Sequence, residues 1–186
     1  IRTTAAALLT LTLAACGSTE GPLRYEVPIP PPQEQIRVAS RSVELREVSL
    51  PLYAELETIS VRSADASLRS DTEVLWADEP VRAVSRGLVT YLSALTGARV
   101  AESPWPLADL PDSELEVRFD RLVADPDGVF RASGQYYIAP RGGSGREVAG
   151  RFAASAPYQP ENLASVAAAK GSVIAEIARQ IARGGL

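Results

Sequence analysis

One cysteine, no histidine and 23 carboxylates bound the chemistry open to this 186-residue chain. Without histidine, serine–histidine and cysteine–histidine nucleophiles and histidine metal sites are excluded. The single thiol, Cys16, closes the run Leu13-Ala14-Ala15-Cys16 at the end of an apolar stretch that begins at Ala5. Arg2 is the only charge before it, and Gly17-Ser18-Thr19 follows. Such a stretch has signal-peptide length and is too short for a membrane span. A carboxylate pair for glycoside cleavage stays open. However, Glu114, Glu116 and Asp120 alternate with apolar residues and fall on one solvated face. No Gly-Lys-Ser/Thr phosphate loop occurs, and Gly142-Gly143-Ser144-Gly145 lies between two strand patterns with no helix after it, so it reads as a hairpin turn. No metal, cofactor or catalytic residue is expected.

The residues around Cys16 resemble the lipobox of bacterial lipoproteins. That resemblance implies a cut before Cys16 and acylation of its thiol and new amino group, so that the sole cysteine is spent on a lipid anchor. Each buried CH₂ contributes about 0.8 kcal/mol, and several chains together hold firmly. Gly17 stands where an aspartate would retain a lipoprotein in the inner membrane, so the expected location is the inner leaflet of the outer membrane with the body in the periplasm. About 170 residues then remain, enough for one core. Their charge of about −5 argues against nucleic acid and against adhesion to anionic lipid. The expected division is a signal peptide over 1–15, a lipid-anchored tether over 16–35, and a single domain over 36–186.

The elements that must support such a body are readable by period. Leu23, Tyr25 and Val27 alternate with Arg24 and Glu26 before Pro28, Pro30, Pro31 and Pro32 break the pattern. Residues 23–27 are either docked, which keeps the body near the membrane, or part of a free tail through Gln35. Ile36 to Val48 reads as a strand whose apolar phase shifts, with a bulge expected near Ser40 to Ser42. Leu56, Ile59 and Val61 suggest a strand, with Ala66–Ser70 and Glu73–Trp76 as weaker ones. Val81, Val84, Leu88, Tyr91, Leu92 and Leu95 then form a helical stripe, opened by Pro80 and closed by Gly97.

From Glu114 the alternation is clean, with Leu115, Val117 and Phe119 on one face. Asp125-Pro126-Asp127-Gly128 turns the chain, and Phe130, Ala132, Gly134, Tyr136 and Ile138 return at the same period. Val148 to Ala154 completes a meander. The last helix, from about Pro160 to Ala182, carries Lys170 in the middle of its apolar face, where the side chain is expected to snorkel to the surface. The fold class is α+β, a largely antiparallel sheet with two main helices packed on one face.

Trp76 is expected to plug the junction of sheet and first helix. Trp105, between Pro104 and Pro106, is the better exposed anchor. Leu50-Pro51-Leu52-Tyr53 is either core or exposed partner surface, and Leu50, Pro51 and Tyr53 join Trp105 as candidate partner contacts.

The lipobox, Leu23-Arg24-Tyr25-Glu26-Val27, Val48-Ser49-Leu50-Pro51-Leu52-Tyr53, Trp76-Ala77-Asp78-Glu79-Pro80 heading a helix, and the closing alanine-rich helix together resemble the ABC-type transport auxiliary lipoproteins, the PqiC family. The pattern departs from the family at Asp78, inserted between Ala77 and Glu79, and at Leu75, where arginine is common. The resemblance implies a non-catalytic outer-membrane lipoprotein of an MCE-type system that moves lipid between membranes. Its partner would be the MCE-domain protein of a PqiB-like system, and a homo-oligomer would match a symmetric partner. An enclosed apolar pocket would instead point to a lipid or lipoprotein carrier, and a convergent carboxylate pair in a cleft to an envelope hydrolase.

Overall fold

Two long helices lie against one face of an eight-stranded sheet in the computed structural model, which describes residues 21–142 and 145–186. In chain order the elements are β1 Leu23–Tyr25, β2 Ser42–Ser49, the single turn α1 Leu52–Glu55, β3 Thr58–Arg62, β4 Leu68–Trp76, α2 Pro80–Thr96, β5 Arg99–Glu102, β6 Ser113–Asp125, β7 Val129–Pro140, β8 Val148–Pro157 and α3 Leu163–Arg183. The architecture is α+β, as the patterning predicts.

β6 organises the sheet. One edge pairs antiparallel with β7 from Ser113↔Pro140 to Asp125↔Val129. The other edge is shared: β2 runs parallel along the first half, from Val43↔Ser113 to Ser49↔Arg118, and β3 meets Ala124 through Val61. β5 extends the sheet beyond β2, while β4 and then β1 extend it beyond β3. The long ladders are thus antiparallel, and the shorter pairings β1·β4, β2·β5, β2·β6 and β3·β6 are parallel.

A bulge between Phe119 and Arg121 keeps both halves of β6 apolar toward the helices. Before it Leu115, Val117 and Phe119 point inward, and after it Leu122 and Ala124 do, because one extra residue inverts the alternation. Phe119 packs edge-on against Phe152 with ring centroids 5.0 Å apart. β8 is the outermost strand of the meander. The Gln180 amide of α3 reaches its free edge, accepting from Ala153 N–H at 3.3 Å and donating to Ala153 C=O at 3.0 Å.

The helices follow from their caps and stripes. The Glu79 carboxylate accepts from the N–H groups of Val81 and Arg82 at 3.0 and 2.9 Å, Pro80 needs no partner there, and Gly97 ends α2 at φ 71°. Val84, Leu88, Tyr91, Leu92 and Leu95 bury one face of α2 against Ile174, Ile177 and Ile181 of α3 and the inner face of the sheet. Trp76 is buried at the junction of sheet and helix.

Three expectations are corrected. The strand expected from Ile36 begins at Ser42, because Asp112 Oδ2 accepts from the N–H groups of Arg41 and Ser42 while Ile36 N–H and Ala39 N–H bond to Leu95 O and Leu186 O, outside the sheet. The phase shift in this region is absorbed between Leu45 and Glu47, not at Ser40 to Ser42. Lys170 does not snorkel: it is 2% exposed, with Nζ 3.9 Å from the centroid of the Trp76 ring. The chain at Pro28 lies over the next residue of the helix, Gly171, and closes the way out.

Burial pushes the Lys170 amine down from its ordinary 10.5 to about 7. In the unfolded chain it titrates near the ordinary value, so between about 7 and 10.5 the unfolded state holds a proton that the folded state lacks. Stability from this group therefore rises with pH across that window. Lys170→Met is expected to remove that slope and to stabilise the protein at neutral pH by about 2 kcal/mol, less than the full shift implies because the indole face favours the ammonium. Urea unfolding of both chains near neutrality and at about pH 10 checks it. Parallel stability curves would mean that the amine is charged inside the core.

Candidate functional surface

No reacting centre emerges from the described residues; their distinctive features are a docked N-terminal strap and exposed apolar side chains. Cys16, the expected lipid attachment site, lies outside the described residues. From Leu23 onward the chain is bound to the body. β1 pairs with β4, and Tyr25 O accepts from Ala77 N–H at 2.9 Å. Tyr25, Val27, Ile29, Ile36 and Val38 then turn inward at period two and pack on the core. Gln35 Nε2 donates to Ala94 O at 2.8 Å, and Glu34 pairs with Arg183 at 2.7 Å and Arg179 at 3.3 Å.

Residues 23–27 are thus docked, and the free-tail alternative through Gln35 is not what the structure adopts. The prolines explain why: between the two inward runs they keep the chain extended without asking for ladder hydrogen bonds. At most about 25 Å of contour separates Cys16 from Leu23.

Among the expected contact residues, Trp105 lies outside the core and is half-exposed. Its Nε1 donates to Asp109 O at 2.6 Å, which fixes the indole across the loop. Both ends of that loop are pinned to β2: Ser103 N–H bonds to Leu45 O, and Asp112 N–H bonds to Ser42 Oγ. The backbone N–H of Arg41, joined by that of Ser42, holds the Asp112 carboxyl below the usual carboxylate range against a smaller opposing effect of burial. Leu110, 72% exposed, and the exposed Leu107 extend the apolar surface of the same loop.

Leu50 does not join such a surface. It is 7% exposed and belongs to the core, because it follows directly on β2 and turns inward ahead of Pro51, the cap of α1. Tyr53 is half-buried against the core, and its hydroxyl accepts from Leu122 N–H. Pro51 is half-buried at the cap of α1. The side chain this segment presents is Leu52, 77% exposed, with Leu56 one turn later also exposed. Their i, i+4 spacing around inward Ala54 is the signal that could have found them.

A surface groove of about 500 Å³ runs between the strap and α2, lined by Tyr25, Ile29, Trp76, Arg82, Arg86 and Thr90 among others. It is open and partly charged, with both arginines paired to Asp78, and differs from the enclosed apolar pocket a carrier needs. Nor do Glu114 and Glu116 form a free carboxylate pair: Glu114 binds Arg46 and Arg141, and Glu116 binds Arg118. Among the described residues, no group of three or more cysteine or carboxylate side chains is placed to hold a metal, and no helix is long and apolar enough to cross a membrane.

A family model described as the ABC-type transport auxiliary lipoprotein component matches residues 25–182. The crystal structure of an uncharacterized protein superposes with a TM-score of 0.69 at 19% identity, covering 88% of this chain and 98% of that one. Protein XCC0632 from Xanthomonas campestris superposes with a TM-score of 0.64 at 17% identity, covering 86% and 91%. At such identities these two likenesses show the fold alone. No curated protein matches the chain.

The strap's docking is testable at its tightest point. A Cβ at Gly171 would lie 1.9 Å from Pro28 O, so the strap backbone must move in Gly171→Ala. The variant is expected to lose about 2 kcal/mol of stability. Amide exchange at Ala77, whose N–H is bonded to Tyr25 O, should accelerate more than exchange in the β6–β7 hairpin. Unaltered protection at Ala77 would show that the strap stays docked without this contact.

Proposed function

The chain belongs to the ABC-type transport auxiliary lipoprotein component family, and from that premise we propose that it is a non-catalytic, lipid-anchored subunit of an MCE-type system that moves lipid between the two membranes. Acylated Cys16 holds it in the inner leaflet of the outer membrane, with the body in the periplasm. Its partner is the MCE-domain protein of a PqiB-like system, met directly or through a symmetric assembly of its own copies. The observation that carries this reading is the strap. Docked from Leu23, it leaves too little free chain for the body to wander, and a body held at fixed height suits a fixed contact in an assembly that spans the periplasm better than it suits a diffusing carrier.

The contact surface is the loop of Trp105, Leu107 and Leu110. An indole fixed by its own hydrogen bond and flanked by prolines loses little entropy on binding and brings a large apolar area. Leu52 and Leu56 form a second exposed apolar pair; Leu50 and Tyr53 seat the turn that presents them.

Trp105→Ala is expected to weaken association with the MCE-domain protein, or with a second copy, by about tenfold or more while leaving thermal unfolding almost unchanged. Binding and melting measured on one preparation decide it: unaltered affinity rejects the loop as the contact, and a lowered melting temperature without a binding defect returns the indole to a structural role. Cys16→Ser is expected to release a folded body from the membrane fraction. Continued co-sedimentation with outer membrane would mean that acylation is not the main tether.

A further inference from the structure

The outer face of β6, β7 and β8 carries a cavity that neither the anchor nor the exposed loops use. It measures about 310 Å³ and is lined by the side chains of Arg121, Arg131, Ser133, Ala153 and Ser155. The sheet register produces the convergence. Arg121 stands opposite Ser133 and Arg131 opposite Ser155, and the bulge beside Asp120 is what turns Arg121 to this face.

The charge around the cavity is unbalanced. No carboxylate lines it. Asp125 lies buried behind the guanidiniums: Arg121 and Arg131 both donate to its Oδ2, the latter at 2.8 Å, and Arg62 Nε lies 3.8 Å from its Oδ1. Burial works to raise the Asp125 pKa, but the hydrogen bonds from Arg121 and Arg131 outweigh it and hold the carboxyl below its ordinary range. Arg131 also chelates Asp127 at 2.8 and 2.7 Å. Three guanidiniums thus face two carboxylates in a chain whose net charge is −4.

The Nε–H groups of Arg62 and Arg121 are buried without an acceptor. Their shielding keeps these two donors out of a ligand's reach, but the three guanidiniums still exceed the two carboxylates by one charge, beside the Ser133 and Ser155 hydroxyls that line the cavity.

We propose that this cavity binds a phosphate group, carried either by a phospholipid headgroup or by a soluble phosphate ester. Its oxygens accept from the Nη hydrogens of Arg121 and Arg131 at the cavity lining and from the Ser133 and Ser155 hydroxyls, with the excess cation supplying the charge. The small side chain of Ala153 leaves room beside them for a glyceryl-sized substituent. The site does not depend on which transport system the protein serves.

The test uses the full chain in phosphate-free detergent micelles, titrated with inorganic phosphate, with glycerol 3-phosphate and with monomeric dihexanoyl-phosphatidylglycerol. Calorimetry and the Nε–Hε resonance of Arg121 are followed together. Saturable binding that shifts this resonance is expected, weakened about fivefold or more in the Ser133→Ala/Ser155→Ala variant at unchanged melting temperature. The serine variant keeps the test decisive, since Arg121→Gln also removes an Asp125 partner and can loosen the hairpin. Binding of the lipid at least tenfold tighter than glycerol 3-phosphate assigns the site to a headgroup; equal affinities assign it to soluble phosphate esters. If no probe saturates, or if the serine variant binds each probe as the parent does, the proposal is overturned.

Discussion

Everything in this structure depends on one strand satisfying two edges. β6 spends one edge on β7 throughout its length, so the strands that extend the sheet in the other direction must share its second edge, β2 along its first half and β3 near its end. A strand serving neighbours that diverge must bend, and the bulge at Asp120 supplies the bend while keeping apolar residues inward on both sides of it. This division also separates the functional features. The strap joins the sheet through β1 and β4 on the β3 side, whereas the Trp105 loop leads into the start of β6 on the β2 side.

The strap couples anchor to core. Its inward residues Tyr25, Val27 and Ile29 pack where α2, α3 and the sheet meet, and Pro28 seals the turn of α3 that carries Lys170. A buried amine over an indole is a costly arrangement, tolerated because the strap leaves the side chain no route to water. Strap docking and the state of that amine are therefore linked, since neither can change without altering the other's surroundings.

What could be read beforehand was local. The stripe of α2 with its caps, the β6–β7 alternation with its Asp-Pro-Asp-Gly turn, and the burial of Trp76 all rest on near neighbours, and all were legible. The parallel pairing of β2 with β6 was not, because period two announces a strand without naming its partner. Lys170 misled for the same reason: the helix offers it a path outward, and only a segment some 140 residues away in sequence blocks that path. The phosphate-site arginines stayed hidden because Arg121 reaches its face through a bulge that no periodicity predicts. The placement of Trp105 outside the core was legible from its prolines, whereas Leu52 and Leu56 needed the single turn of α1 to turn them outward.

The grip of Gln180 on β8 has a consequence of another kind. A ten-residue strand with an open edge is a template on which foreign chains can polymerise. By occupying both backbone groups of Ala153, near the middle of that edge, the amide divides the template into two short stretches. Neither offers the uninterrupted row of donors and acceptors that cross-β growth requires. In a crowded compartment, one glutamine thus acts as a gatekeeper against amyloid-like association, at the cost of a single side chain.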